Sequence, residues 1–533
     1  MAPSARRDTA HSKSLELFSS LARLECVTAP MHDVSGETGH VLMILSKQKK
    51  LPDDLPAVTQ LECVLKRREM KPEELAKTPV AIDLAHGGCC VYVMLDDQSD
   101  RYTQHDVLRK AVMLLAEETP DSMALAVWGV TEDMQQRWVR DALYVMWVNG
   151  AALPSRKKKP ARSLKRLVLY GAENKNQGKN YADIAALAQA NLLARQLTVM
   201  PANELTPAHY REKIRVLAKT QGWGIKEFDF CTLQKMGAGA FCAVAQGSHE
   251  ADAAIVHLSY NPSQSNMMPR VALVGKGICF DTGGHNLKPA RYMTGMHEDM
   301  NGSAVALSLL LAIQALALPV AVDVWLAIAQ NHLSSRAYKQ NDIITTLDGT
   351  HVEIVHTDAE GRLVLADALT LATRPDEKKV KTNNHAEQTQ PDLVIDFATL
   401  TGSMITALGT RYSGVFSSDD ALGHLAVEAG RLSGERVCLF PMDSDYEPAL
   451  DSKVADIKQC TLEGDADHIL AARFLKRYTY ERPWLHLDLS AANCSDGLGA
   501  VASGQTGFGV AWGVAFLSRW LESRAECCGD ATT

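Results

Sequence analysis

Apolar runs of strand length alternate with helical stretches along most of this chain. That alternation restricts it to a mainly parallel or mixed sheet covered by helices. In the first third, HVLMILS (40–46), VAIDL (80–84), CVYVML (90–95), MALAVWG (123–129) and RLVLYG (166–171) read as strands. DVLRKAVMLLAEE (106–118) and the stretch 133–148 read as helices between the last three. A long helical segment at 180–200 ends before Pro201 and reads as a bridge between two domains. Strand-like runs then resume at 253–260, 270–277, 351–357, 392–400 and 484–490, with helices at 302–317, 361–374 and 468–479. The fold class expected is therefore α/β, and 533 residues are too many for one ordinary domain.

A formal charge of −8 gives no basic footprint, so nucleic acid is not expected as a partner. The basic run at 156–159 reads as a solvated loop, and the polar segment 374–391 as an exposed insertion. The 12 cysteines form no C-x-x-C pair, which points to free thiols in a reducing compartment. The N-terminus lacks the apolar core of a secretory signal; Arg6 and Arg7 among serines hint at an organellar leader, against which Asp8 argues. Residues 303–322 are long and apolar enough to span a bilayer. Pro319 and Asp323 instead divide that region into a buried helix and the strand VAVDVWLAIA, so no membrane association is expected.

Two segments place unusual polar residues at the ends of apolar strands, where ligands gather in open α/β sheets. They are VGKGICFDTGGHNLKPARYMTGMHEDMNGSA (274–304) and HTDAEGRLVLADAL (356–369). In the second, Asp358 and Glu360 are two apart in what reads as extended chain, which would aim both carboxylates to one side. Gly361 and Arg362 then open a helix, whose first N–H groups attract anions. In the first, Lys276 ends a strand, Asp281 precedes the Gly283–Gly284 turn, Lys288 follows, and Asp299 sits just before a helix. Carboxylates packed this closely would repel and protonate unless a cation held them. Three aspartates, a glutamate and a lysine form an oxygen-rich set suited to zinc, manganese, cobalt or magnesium. His285 and His297 lie nearby, yet nothing in the spacing requires either as a ligand.

HTDAEGRLVLADAL closely resembles the N-T-D-A-E-G-R-L signature of the leucyl (cytosol) aminopeptidase family. VGKGICFDTGGHNLKP is similar to that family's V-G-K-G-x-x-F-D-x-G-G-x-x-x-K-P segment. MHEDMNGSA, FATLTGSMITALG (397–409) and TGFGV (506–510) continue the likeness, which covers about residues 190–515. The resemblance implies a macrodomain-like N-terminal domain (1–180), a connecting helix (181–200) and a larger dinuclear-metal peptidase domain with a mixed central sheet (201–533). It implies two divalent ions, one on Lys276, Asp281, Asp299 and Glu360, the other on Asp281, Asp358 and Glu360. Lys288 would stabilise the oxyanion, and Arg362 would hold a bicarbonate acting as general base. Met296, Thr399, Leu400 and Gly402 would contact substrate. It further implies removal of the N-terminal residue from peptides, leucine or a similar one, by a cytoplasmic homo-hexamer. His297, Leu489-Ser490-Ala491 and Asn493 depart from the family pattern and put strict leucine preference in doubt.

A silent scaffold or a DNA-binding regulator is disfavoured by the intact ligand set and the acidic balance. Nucleotide binding by the N-terminal domain would rest only on HGGCC (86–90), which reads as a turn. No G-x-S-x-G elbow, H-E-x-x-H helix or P-loop is present.

Overall fold

A computed structural model describes residues 20–31, 39–85, 87–174, 177–262, 268–375 and 390–529. The expected insertion at 374–391 lies almost wholly outside the described residues, as do Arg6, Arg7 and Asp8.

The first sheet contains β1 (Arg23–Val27), β2 (His40–Ser46), β3 (Val80–Asp83), β4 (Cys89–Leu95), β5 (Ser122–Trp128) and β6 (Arg166–Tyr170), in the order β1-β6-β5-β2-β4-β3. Every pairing is parallel except the β3–β4 hairpin. Of HGGCC, His86 lies outside the described residues, Gly87 and Gly88 lie in the turn of that hairpin, and Cys89 and Cys90 begin β4; Gly88 has φ +94° and a Cβ there would strike the Gly39 backbone. β4 is buried along its whole length, as a central strand covered on both faces must be. The helices Arg101–Ala116 and Glu132–Gly150 cover one face, and Val58–Arg67 covers the other.

The second sheet is larger and mixed. Its strands are β7 (Gly224–Asp229), β8 (Ala254–Tyr260), β9 (Arg270–Asp281), β10 (Ala321–Asn331), β13 (Leu393–Ala398), β14 (Ser413–Ser417), β15 (Val437–Leu439) and β17 (Trp484–Asp488). They run in the order β15-β14-β17-β13-β9-β10-β8-β7, with β17, β13, β9 and β10 parallel at the centre. β11 (Ile343–Thr345), β12 (His351–Glu353) and β16 (Ile457–Lys458) form a small third sheet. One face of the large sheet packs on the helices Asn301–Ala315, Pro207–Gln221 and Val510–Gly529. The other packs on Gly239–Ala245, Gly361–Thr373 and Asp467–Lys476.

The apolar stretch 303–322 resolves as expected. Asn301–Ala315 is buried almost all round, as a core helix is, and β10 follows it. Among the described residues no helix is long and apolar enough to cross a membrane.

Two local expectations fail. Lys276 does not end its strand, because β9 continues to Asp281 and leaves Lys276 at mid-strand. The run 351–357 is not a strand throughout: β12 stops at Glu353, Ala359 N–H donates to the His356 carbonyl, and Glu360 is already helical at φ −73°, ψ −33°. Asp358 and Glu360 therefore converge from a turn entering a helix, not from extended chain.

The two sheets are joined by polar contacts as well as by the helix Ala182–Thr198. Arg101 Nη1 donates to Leu432 O (2.7 Å), Arg109 Nη1 to Asp496 O (2.8 Å) and Asn149 Nδ2 to Ala500 O (2.8 Å). From the connecting helix, Arg195 donates to Val148 O and to Ser503 Oγ. Asp141 holds Arg101 in place, accepting from its Nε at 3.0 Å and also facing His105. Burial would raise the Asp141 carboxyl, but His105 and Arg101 outweigh it and hold the pKa at about 2. A depressed carboxylate contributes stability above its unfolded pKa, near 4, and loses it as pH falls toward 2. We therefore predict that wild type exceeds Asp141→Asn by about 2 kcal/mol at pH 6, with the gap closing below about pH 4. Urea unfolding of both proteins across that range checks this; a pH-independent gap would contradict it.

Candidate metal centre and substrate cavity

The site lies at the carboxyl ends of β9 and β13, where ligands collect in open α/β sheets. β9 alternates its faces. Gly275 and Gly277 lie against the helix Asn301–Ala315, where a Cβ on Gly275 would come within 2.5 Å of Ser303 Cα. Lys276 consequently points to the opposite face, toward the start of Gly361–Thr373. Gly361 leaves room for it: a Cβ there would sit 2.8 Å from Lys276 Nζ. Gly302 likewise lets its helix approach the Phe397 carbonyl, which a Cβ would meet at 2.1 Å. These close approaches bring the carboxylates of three separate segments together.

Lys276 Nζ lies 2.8 Å from both Asp299 Oδ2 and Glu360 Oε1, and donates to Thr399 O at 3.1 Å. Lys288 Nζ lies 2.9 Å from Asp281 Oδ2 and 2.5 Å from Asp358 Oδ1. Asp281, Asp358 and Glu360 each offer an oxygen within 4.8 Å of the others. Burial, reinforced by neighbouring negative charge, pushes the carboxyls of Asp299, Asp358 and Glu360 above their ordinary range. Burial alone would lower Lys276 and Lys288, yet the surrounding carboxylates outweigh it and keep both strongly charged.

A supporting frame surrounds this cluster. Asp281 Oδ1 accepts from Asn331 Nδ2 and Gly283 N, both at 2.8 Å, and Asn331 also donates to Thr357 O. Tyr338 OH donates to the same Thr357 carbonyl at 2.6 Å, and Thr399 Oγ1 donates to Asp299 Oδ1 at 2.7 Å. Leu400 N–H and the Thr401 hydroxyl donate to Asp488, which fixes the loop after β13.

All eleven site residues expected from sequence line one cavity of about 940 Å³: Lys276, Asp281, Lys288, Met296, Asp299, Asp358, Glu360, Arg362, Thr399, Leu400 and Gly402. His285 is exposed and outside the lining. His297 is half-buried, with its ring near Glu298. Sequence reasoning missed Asn331, Tyr338, Glu298, His356, Asp467 and Asp488. Asn331 had a usable signal, since it ends the strand beside β9; Asp467 had none. The departures Leu489, Ser490 and Asn493 do line the cavity, and Asn493 Nδ2 donates to Glu298 Oε2 at 2.7 Å.

The donor set fits divalent cations. The buried oxygens Asp299 Oδ2, Asp358 Oδ1 and Glu360 Oε1 accept no aligned hydrogen bond, although a lysine ammonium stands beside each. Carboxylates gathered this closely repel one another, and an oxygen-rich set of this kind suits a divalent cation. The bicarbonate implied at Arg362 does not fit equally well. Nη2 already donates to Asp467 Oδ1 (2.8 Å) and Nη1 to Gln459 O (2.9 Å), so a carboxylate stands where an external anion would go.

The catalytic domain of the cytosol aminopeptidase family matches residues 192–513. A probable cytosol aminopeptidase from Methylorubrum populi is 36% identical over 345 residues, covering 64% of this chain and 65% of that protein. The aligned part thus spans just under two thirds of that relative's length. Among solved structures, the bottromycin maturation enzyme BotP in complex with Mn is 30% identical, with a TM-score of 0.75 over 90% of this chain and 99% of its own. The cytosol aminopeptidase of Coxiella burnetii is 26% identical, with a TM-score of 0.74 over 91% and 98%. Sequence match, fold and cavity agree: the chain belongs to the cytosol aminopeptidase family.

Proposed function

We propose that this protein is a metalloaminopeptidase that removes single residues from the N-termini of peptides. The observation that carries this reading is the convergence of Asp281, Asp358 and Glu360, whose oxygens lie within 4.8 Å of one another, at the head of a large cavity. Lys276 as the neutral amine, its proton displaced by the ion, would join Asp281, Asp299 and Glu360 in holding one cation; Asp281, Asp358 and Glu360 would hold the other, Asp281 and Glu360 being shared. Zinc or manganese suits this set best, with cobalt or magnesium also compatible. Bound there, two divalent ions would supply Lewis acidity for hydrolysing an amide.

The chain's own residues supply the rest. Lys288 brings a fixed positive charge to the cavity wall, where a developing oxyanion needs it. The Thr399–Gly402 loop, held by Asp488, presents backbone groups to an extended peptide. Met296, Leu400 and Ile405 give the cavity an apolar side suited to leucine or a similar side chain. Glu298 and Asn493 bring a polar side that widens the choice. The division at 1–180, 181–200 and 201–533 belongs to the same reading, with the chemistry in the last part. So do the homo-hexamer and the cytoplasmic location implied by the resemblance. Bicarbonate is left out, because Arg362 is already engaged.

The test is metal-stripped protein re-supplied with Zn²⁺, Mn²⁺, Co²⁺ or Mg²⁺ and assayed on aminoacyl amides with free and with acetylated N-termini. Metal-dependent cleavage restricted to free amines is the expected result. Folded protein that cleaves neither class with any metal would refute the reading.

A further inference from the structure

Arg362 is the second residue of the helix Gly361–Thr373, two positions past Glu360, and its side chain is only 3% exposed. A guanidinium buried this deeply requires a counter-charge. The chain provides one from a segment 105 residues away: Asp467 Oδ1 accepts from Nη2 at 2.8 Å. Asp467 opens the helix Asp467–Lys476, a first-turn position that favours a carboxylate. Its side chain keeps 22% of its surface exposed and lines the cavity shared by Lys276, Asp281, Lys288 and Glu360. Nη1 is engaged by the Gln459 carbonyl, whose residue is itself fixed through its side chain to Val355 N and His356 O. Only Nε has no partner.

We propose that Asp467 is the resident anion of the Arg362 site, so that this chain works without the external oxyanion the family resemblance implies. A carboxylate and a bicarbonate are near-equivalents here, each a planar oxyanion able to accept from a guanidinium. A bicarbonate arriving at Nη2 would meet Asp467 at contact distance, with the Glu360 charge also bearing on the guanidinium. Like charges so close in a poorly hydrated wall repel strongly. Nε alone, without an open Nη2 beside it, does not offer the paired donors that hold an oxyanion. The covalent tether adds to this advantage, since a residue already in place meets no loss of translational freedom.

This inference rests on the proposed hydrolysis only for its activity readout, and a binding readout stands apart from it. In metal-free protein, bicarbonate should leave the melting temperature of wild type where equimolar chloride leaves it. Asp467→Ala should instead gain a saturable, bicarbonate-specific rise, with matching broadening of the ¹³C-bicarbonate resonance. In metal-loaded protein, wild type should hydrolyse peptides equally in CO₂-purged and bicarbonate-supplemented buffer. Asp467→Ala should lose roughly tenfold in kcat/KM in purged buffer and recover it when bicarbonate or formate is added. Asp467→Asn, which keeps a polar first-turn side chain, replaces the alanine variant if that one folds poorly. Saturable stimulation or stabilisation of wild type by bicarbonate would overturn the proposal, as would an Asp467 variant indifferent to bicarbonate in both readouts. If no form hydrolyses peptides, the melting and resonance measurements still decide it.

Discussion

Glu360→Gln is expected to reduce peptide hydrolysis by on the order of a thousandfold, about 4 kcal/mol of transition-state stabilisation. Glu360 is 1% exposed, stands 2.8 Å from Lys276 Nζ, and belongs to the one triad of acidic oxygens close enough to share a cation among the described residues. The amide has almost the same volume, so packing is retained while the anionic donor is lost. In the metal-free protein the change removes a carboxylate that burial and the Asp281 charge already push toward protonation, so the fold should survive. Atomic emission should then find fewer than two metal ions per chain, and the stabilisation that metal gives wild type should shrink. Two tightly held ions with unchanged kcat/KM would show that Glu360 is not a ligand.

Asp396→Ala should cost roughly 3–5 kcal/mol of folding stability, because it strips the partner from a buried charged pair. Asp396 and His486 are both wholly buried, 2.5 Å apart, and Asp396 also accepts from Trp484 Nε1 at 2.6 Å. Burial would lower the His486 pKa, but Asp396 outweighs it and the net direction is upward. A raised histidine contributes stability below its unfolded pKa, near 6.5, and loses it as pH rises through the folded value. The deficit of Asp396→Ala should therefore be largest at mildly acidic pH. His486 and Asp488 alternate on one face of β17, and Asp488 holds Leu400 and Thr401. Loss of the pair should consequently raise KM more than it lowers kcat. Chemical denaturation at several pH values, with steady-state kinetics, measures both; a deficit below about 1 kcal/mol would mean the pair is energetically idle.

The α/β class was legible because β4, β9 and β13 are continuous apolar runs with helices between them. Period and length specify those elements wherever burial is nearly complete. β12 was overextended because HVEIVHT has strand composition throughout, whereas its last residues serve the site: Thr357 binds Asn286 and the Gly283 carbonyl. Local propensity yielded there to the demands of two carboxylates. The candidate ligands were legible from motif spacing, since Lys276, Asp281, Asp358 and Glu360 lie in two short segments. Asp467 was not, because its meaning comes entirely from tertiary contact with Arg362. Glu298 was hidden for the same reason: Asn493 and Gln505, which grip it, are about 200 residues away in sequence.

Gln505 draws a further consequence from the contacts between the two sheets. Its backbone carbonyl accepts from Arg195 on the connecting helix, its side chain grips Glu298, and Glu298 precedes Asp299 in the chain. Arg109 and Asn149, on the helices over the first sheet, clasp residues 496–502 just ahead of it in the chain. The wall of the cavity is thus braced by residues that lie outside the matched stretch 192–513. Under the proposed function, drift at Arg109 or Asn149 would be felt as altered choice of substrate, with the proposed metal-holding residues Lys276 and Asp281 on β9 left intact, so the two properties can evolve on separate schedules.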